Sequence, residues 1–230
     1  MRLILSALAI AIGATATVAQ DSDAALVAAI QLADDGDYQA AFESVDDAVS
    51  RDVLTWMQLR DGNGSFDDYR TFLDNHPDWP GQTRLYTRAE RAIEKGGDAA
   101  DIIAWFGDRT PETGIGAVRL AEALIVQGDP DAAEGVIIAA WLNLRLLAED
   151  QTAILDGFAD VVAPHHVERA DNLLWRWLTD EAARMMPLLD DDQAALVAAR
   201  IAYIRERGIN DAIAAVPAAL RTNAGLAYDR

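Results

Sequence analysis

The chain has 230 residues, a quarter of them charged and half hydrophobic, enough for one good-sized domain or two small ones and too apolar for a disordered polymer. Acidic residues outnumber basic ones 38 to 19, for a formal net charge of −19, which argues against a Lys/Arg surface for nucleic acid. The absence of cysteine excludes disulfides, thiolate nucleophiles, zinc ribbons and iron–sulfur clusters together.

At the N-terminus, Arg2 precedes a small and apolar run from Leu3 to Ala14, and Thr17-Val18-Ala19 forms a small-x-small site just before Gln20. This pattern predicts a cleavable export signal over residues 1–19, with residues 20–230 as the exported chain. The apolar run is shorter than the roughly 20 residues needed to cross a bilayer. Charges then begin at Asp21, and no later stretch approaches a span. A bacterial periplasm is the expected compartment, and a cysteine-free composition is compatible with it. Cleavage would remove Arg2 and no acid, leaving the exported chain more acidic still.

Beyond Asp21, apolar residues recur three and four apart, and no alternating run of β-branched or aromatic residues suggests a strand. The chain therefore reads as all-α. The first amphipathic segment comprises Ala24-Ala25-Leu26, Ala28-Ala29-Ile30 and Leu32-Ala33. Asp34-Asp35-Gly36-Asp37 ends it and caps a second, from Tyr38 to Val49. Later breaks fall at Asp61-Gly62-Asn63-Gly64, His76 to Pro80, Gly96-Gly97-Asp98, Arg109-Thr110-Pro111, Gly128-Asp129-Pro130, Ala163-Pro164, Pro187 and Gly208. A further helix is expected from Phe66 to Asn75.

One phrase recurs at these breaks. Gly36-Asp37-Tyr38-Gln39-Ala40-Ala41, Gly97-Asp98-Ala99-Ala100, Gly128-Asp129-Pro130-Asp131-Ala132-Ala133 and Thr179-Asp180-Glu181-Ala182-Ala183 each place a helix stop and an Asp cap before an alanine pair. The Asp satisfies free N–H groups of a new helix, and the alanines let that helix pack closely on its predecessor. The copies are unevenly spaced, which predicts a loose α-superhelix, a solenoid of antiparallel helical hairpins related to tetratricopeptide repeats but irregular. No internal domain boundary stands out after residue 20, so residues 20–230 are expected to form one α-superhelical domain.

The candidates for chemistry are few. His165-His166, with Glu168 beyond, could offer two metal ligands on one helix face, but no third ligand is near in sequence, and capping or surface placement is the better reading. His76 precedes Pro77 in a turn and reads as a turn hydrogen-bonder. Asp61 to Asp68 alternates oxygen-bearing side chains as a calcium loop does, yet Phe66 stands where a Gly must turn the chain and Phe72 where a Glu must close the cage. A polar turn capping the helix from Phe66 accounts for it better. Trp56, Trp79, Trp105, Trp141, Trp175 and Trp177 could form a sugar-stacking strip, but most lie in apolar phrases such as Leu173-Leu174-Trp175, which argues for core. Phosphate loops, G-x-S-x-G elbows and H-E-x-x-H pairs are absent from the sequence.

Residues 56–90 carry a more specific pattern: Trp56-Met57-Gln58-Leu59-Arg60, Tyr69-Arg70-Thr71-Phe72-Leu73, His76-Pro77-Asp78-Trp79-Pro80 and Ala89-Glu90. It resembles the N-terminal superhelical region of exported soluble lytic murein transglycosylases. Ala121-Glu122 with Gly128-Asp129, Asp171-Asn172-Leu173-Leu174-Trp175, Ala182 to Met186, Ala199-Arg200-Ile201-Ala202 and Ala227-Tyr228-Asp229-Arg230 extend the likeness over about residues 50–230.

The resemblance implies a ring- or horseshoe-shaped superhelix that precedes a lysozyme-like catalytic domain. That domain cleaves peptidoglycan with one Glu, acting as acid and then as base, to give 1,6-anhydromuramyl products. The family's Glu lies in E-S-x-F followed by G-L-M-Q. Phe42-Glu43-Ser44-Val45 with Trp56-Met57-Gln58 imitates this but lacks the aromatic and the Gly. Asp46 and Asp47 beside Glu43 also offer no sheltered cleft to raise its pKa. The expectation is a chain without catalytic, cofactor-binding or metal residues, the scaffold part of such an enzyme and truncated before its catalytic domain. Its expected partners are peptidoglycan glycan strands or periplasmic proteins. A stand-alone periplasmic helical-repeat adaptor is the alternative.

Overall fold

The computed structural model describes residues 13–230, with side chains from residue 23. The apolar run of the expected export signal lies outside the described residues up to residue 12, and its remaining side chains lie outside them too. Among the described residues all regular structure is helical. The chain forms two compact units, one up to Arg88 and one from Ala89 to Arg230.

The first unit contains α1 (Gly13–Asp34), α2 (Tyr38–Glu43), α3 (Ala48–Asp61), α4 (Phe66–Asn75) and the start of α5 (Gln82–Ala92). Gly36 takes φ +86, the left-handed turn that ends α1, and the Asp37 carboxylate then accepts from Ala40 N to open α2. The expected helix from Tyr38 to Val49 is two helices. After Glu43 the Ser44 hydroxyl donates back to Ala41 O at 2.7 Å, and Asp47 caps a new helix by accepting from Ser50 N at 2.9 Å. Side chains that bond their own backbone compete with a continuing helix, and here they break it. Ala29 and Ala33 of α1, Ala41 of α2, and Leu54 and Met57 of α3 form the core between these helices. At Phe66–Asn75 the expected and observed helices coincide, and Ser65 and Asp68 form its capping box.

The second unit continues with α6 (Ala99–Phe106), α7 (Gly114–Val126), α8 (Pro130–Asn143), α9 (Ala148–Val162), α10 (His166–Trp175), α11 (Thr179–Ala183), α12 (Asp191–Ile204), α13 (Ile209–Ala215) and α14 (Ala224–Asp229). Short 3-10 turns occupy Ala163–His165, Met186–Leu188 and Ala218–Leu220. Two of the remaining phrases act as expected: Asp98 accepts from Asp101 N and Asp129 from Ala132 N, each opening a helix. The fourth does not. Leu178 occupies the cap position of α11 with no side-chain bond, and Asp180 lies inside the first turn, where it pairs with Arg205.

The core of this unit runs from Ala117, Val118 and Ala121 of α7 through Ile137 and Trp141 of α8 to Leu173 and Leu174 of α10. Alanines on facing helices bring the backbones close enough for Trp141, fully buried, to fill the centre. A smaller cluster of Leu196, Ala199, Val216 and Leu226 holds α12, α13 and α14 together.

Candidate functional site

The motifs singled out in the sequence gather into three constellations, two of them structural. In the first unit, Trp56 Nε1 donates to Pro80 O at 2.9 Å, and the Tyr69 hydroxyl donates to Leu59 O at 2.8 Å. Phe72, His76 and Trp79 pack ring on ring, with centroids 4.5–5.4 Å apart. Trp79 meets Trp56 edge-on at 6.5 Å, and the Arg60 guanidinium lies 4.8 Å over Trp56. The two prolines flanking Trp79 fix the turn that folds this aromatic cluster back onto α3. His76 closes α4, and its Nε2 lies 3.6 Å from Asp52 Oδ1.

Glu90 belongs to the second constellation, at the start of α7. It is 2% exposed, and its carboxylate accepts from Glu112 N at 2.8 Å and from both Thr113 N and Thr113 Oγ1 at 2.7 Å. Asp150, equally buried, accepts from Ile115 N at 3.1 Å and from Leu147 N at 3.1 Å, and pairs with Arg91 at 2.8 Å. Gly114 and Gly116 make the approach possible: an added Cβ would lie 2.7 Å from Asp150 Cβ and 2.3 Å from Glu90 Oε2. Burial pushes the Glu90 carboxyl above the usual carboxylate range, the kind of shift a catalytic acid needs. Its oxygens, however, are occupied by the backbone and hydroxyl of its own fold. The two carboxylates hold the helix, complementing the partial positive charge of its N-terminus.

The third constellation has the form of a binding site. Asp171 and Trp175, one turn apart on α10, and Arg200 of α12 line a cavity of about 480 Å³ together with Glu168, Gln193 and Asn223. Tyr228 and Asp229 of α14 lie beside it, in contact with Trp175 and Arg200. Arg200, 1% exposed, donates from Nε to Asp229 Oδ2 at 2.6 Å and from Nη1 to Asp171 Oδ1. Its Nη2 has no hydrogen-bond partner among the described residues. Gly225 admits the guanidinium, since an added Cβ would come within 2.3 Å of Arg200 Cζ.

The network fixes the rims of the cavity. Trp175 Nε1 donates to Asp171 Oδ2 at 3.0 Å, its ring meets Tyr228 at 4.9 Å with the planes tilted by 49°, and Arg200 lies 5.3 Å from its centroid. Trp175 is nevertheless 44% exposed and Tyr228 65%. Asp171 also keeps part of its carboxylate in solvent. With Arg200 paired twice and Glu168 also lining the cavity, the local charge is negative. Such a site offers aromatic faces to apolar C–H surface and carboxylate oxygens to hydroxyl or amide donors, and it disfavours anions.

The tryptophans therefore divide. Trp141 is core as expected, Trp56, Trp79 and Trp105 are half-buried, but Trp175 and Trp177 stand in solvent, contrary to the reading of the apolar phrase around Trp175. Leu173 and Leu174 turn to the core, while Trp175, at the last residue of α10, faces outward.

His165 and His166 do open α10. His165 Nδ1 lies 3.6 Å from Glu168, while His166 packs at 5.4 Å on Trp141. Among the described residues no group of three or more His, Asp and Glu side chains is placed to hold a metal ion. Glu43 ends α2 on the surface, accepting from Gln39 Nε2 at 3.0 Å. No helix among the described residues is long and apolar enough to cross a membrane. Comparison with family models, with curated proteins and with solved structures yields no match.

Proposed function

We propose that the chain is the non-catalytic superhelical region of a periplasmic lytic transglycosylase, stacking its helical hairpins to hold peptidoglycan glycan strands while cleavage is carried by a separate catalytic domain. The observation that carries this reading is the exposed Trp175–Tyr228 pair beside the cavity lined by Asp171 and Arg200. Aromatic rings left in water beside hydrogen-bonding carboxylates suit the apolar face and hydroxyl rim of a neutral sugar. Three phrases of the family resemblance supply these residues, which supports assigning both the resemblance and the site to one activity.

The test is co-sedimentation with insoluble murein sacculi. The purified chain should be retained, Trp175→Ala should be released, and neither should clear a murein suspension. Unretained wild-type protein, or equal retention of Trp175→Ala with an unchanged circular dichroism spectrum, would overturn the reading. Export is tested separately by N-terminal sequencing of the secreted protein, which should begin at Gln20.

A stand-alone protein-binding adaptor is the second reading. It is favoured by an apolar groove of about 550 Å³ formed by α6, α7 and α8, with Leu120, Leu124 and Val136 along it. Failure to bind sacculi together with recovery of a specific periplasmic protein, lost on Val136→Asp, would select it.

A further inference from the structure

Arg169 of α10 is 1% exposed, yet among the described residues no carboxylate lies within ion-pair distance of it. In a chain with twice as many acids as bases, a buried arginine would ordinarily be paired. Its Nη1 donates to Trp141 O and to Leu144 O, so part of its charge answers the carbonyl end of α8. Arg176 and Arg184 reach the same segment, donating to Asn143 O at 2.9 Å and to Leu146 O at 2.7 Å. The nearby acid, Glu181, pairs with Arg145 at 2.6 Å instead. Burial, then the charges of Arg184 and Arg176, push the Arg169 guanidinium down to about 10, which leaves it cationic at neutral pH.

Four buried polar atoms at this place have no hydrogen-bond partner among the described residues: Arg169 Nε and Nη2, Trp141 Nε1 and His166 Nδ1. Their side chains adjoin. The Arg169 guanidinium carbon lies 4.7 Å over the Trp141 ring, and His166 packs at 5.4 Å on the same ring. His166 and Arg169 share one face of α10. The arginine and indole atoms can only donate, and Nδ1 donates when it carries the imidazole proton. A water molecule could accept from such groups but would leave the guanidinium charge uncompensated, whereas a small anion answers both needs.

We propose that Trp141, His166 and Arg169 form a binding site for one small monovalent anion of the halide class, which ties α10 to α8 by accepting from indole, imidazole and guanidinium. Half-buried His166 gives the way in from solvent. Divalent anions are disfavoured, because the cost of removing water rises with charge and the surroundings are the apolar core. The chain's net charge of −19 repels anions at long range, so the attraction is the local field of Arg169, Arg176 and Arg184. This site is separate from the cavity beside Trp175 and does not rest on the glycan reading.

The test follows the indole N–H resonance of Trp141 by nitrogen–proton NMR while chloride replaces gluconate at a constant ionic strength of about 0.15 M. Urea unfolding is repeated at each composition. The Trp141 resonance should move along a saturating curve, and the urea midpoint should rise with the same half-saturation. His166→Phe keeps a ring but removes its nitrogens, and should weaken chloride by about tenfold, the worth of one charge-assisted hydrogen bond. Arg169→Gln should abolish the response.

Identical wild-type spectra in chloride and gluconate would assign the four atoms to water and overturn the proposal. A chloride response kept by Arg169→Gln, or undiminished in His166→Phe, would overturn it as well. Where Arg169→Gln fails to fold, His166→Phe decides, since it changes only a half-buried ring.

Discussion

Replacing Gly116 by alanine places a single methyl group against the buried Glu90 side chain of the second unit. The new Cβ would lie 2.3 Å from Glu90 Oε2, 2.7 Å from its Cδ and 2.9 Å from its Cγ. Glu90 cannot swing aside cheaply, because three donors hold its oxygens. Overpacking of this kind costs about 1–3 kcal/mol. Pulling a buried carboxylate from even one donor adds about 1.5–3 kcal/mol. Alanine's helix preference returns only roughly 0.5–1 kcal/mol. Gly116→Ala should therefore destabilise the second unit by about 1.5–5.5 kcal/mol.

The same substitution at Gly135 of α8 is the control, because its Cβ would meet nothing within 4 Å. It should stabilise by roughly 0.5–1 kcal/mol. Urea titration followed by far-ultraviolet circular dichroism compares the two. If both substitutions moved the midpoint in the same direction, the account of α7 as a helix wedged between two carboxylates would be wrong.

Other outcomes follow from the same geometry. Glu90→Ala should cost about 3 kcal/mol by stranding buried donors, read from the same urea curves. Because burial holds the folded pKa of Glu90 above its ordinary value of 4.5, this group's contribution is fully present below that value and is lost as pH rises through the folded pKa. Wild type should thus gain on Glu90→Gln as pH is lowered toward 4.5, measured as the difference between their midpoints.

Tyr38 donates to Asp61 at 2.7 Å, and burial, aided by that bond, pushes its phenol up to about 12. Tyr38→Phe should lose about 1 kcal/mol near neutral pH and remove a phenolate step near about 12 from an alkaline absorbance titration. That bond also holds Asp61 below its ordinary 3.8, so the wild-type advantage is present above this value and fades as pH falls through the lowered one. Gly225→Ala should expel the Arg200 guanidinium at a cost of about 1–3 kcal/mol, fray α14 in hydrogen exchange, and abolish retention on sacculi.

Much of the helical order was legible because it is written locally. Asp37, Asp98 and Asp129 cap the helices that their positions implied, and Ser65 and Asp68 open α4 where expected. The break between α2 and α3 was hidden because Val45 and Val49 continue the apolar spacing. Only the bonds of Ser44 and Asp47 to their neighbouring backbone show that the helix has stopped. The missing cap at α11 had the opposite cause: Asp180 has the right identity but stands two residues past the cap position, in the first turn, where it pairs with Arg205.

The candidate site was legible only in fragments. Asp171 and Trp175 share a face by spacing, but their meeting with Arg200, Tyr228 and Asp229 depends on the packing of α10, α12 and α14, which no local pattern encodes. Exposure of Trp175 was concealed by its apolar neighbours.

The amides at the start of α7 have an unusual fate. The first N–H groups of a helix lack partners within it and ordinarily exchange freely with solvent deuterium. Here Glu112, Thr113, Ile115 and Gly116 all donate to side-chain oxygens, of Glu90, Asp150 and Thr113, most of them buried. The slow-exchanging zone should therefore begin ahead of the helix itself. By contrast, α2, α4 and α6, whose caps lie on the surface, should show the customary fast first turn.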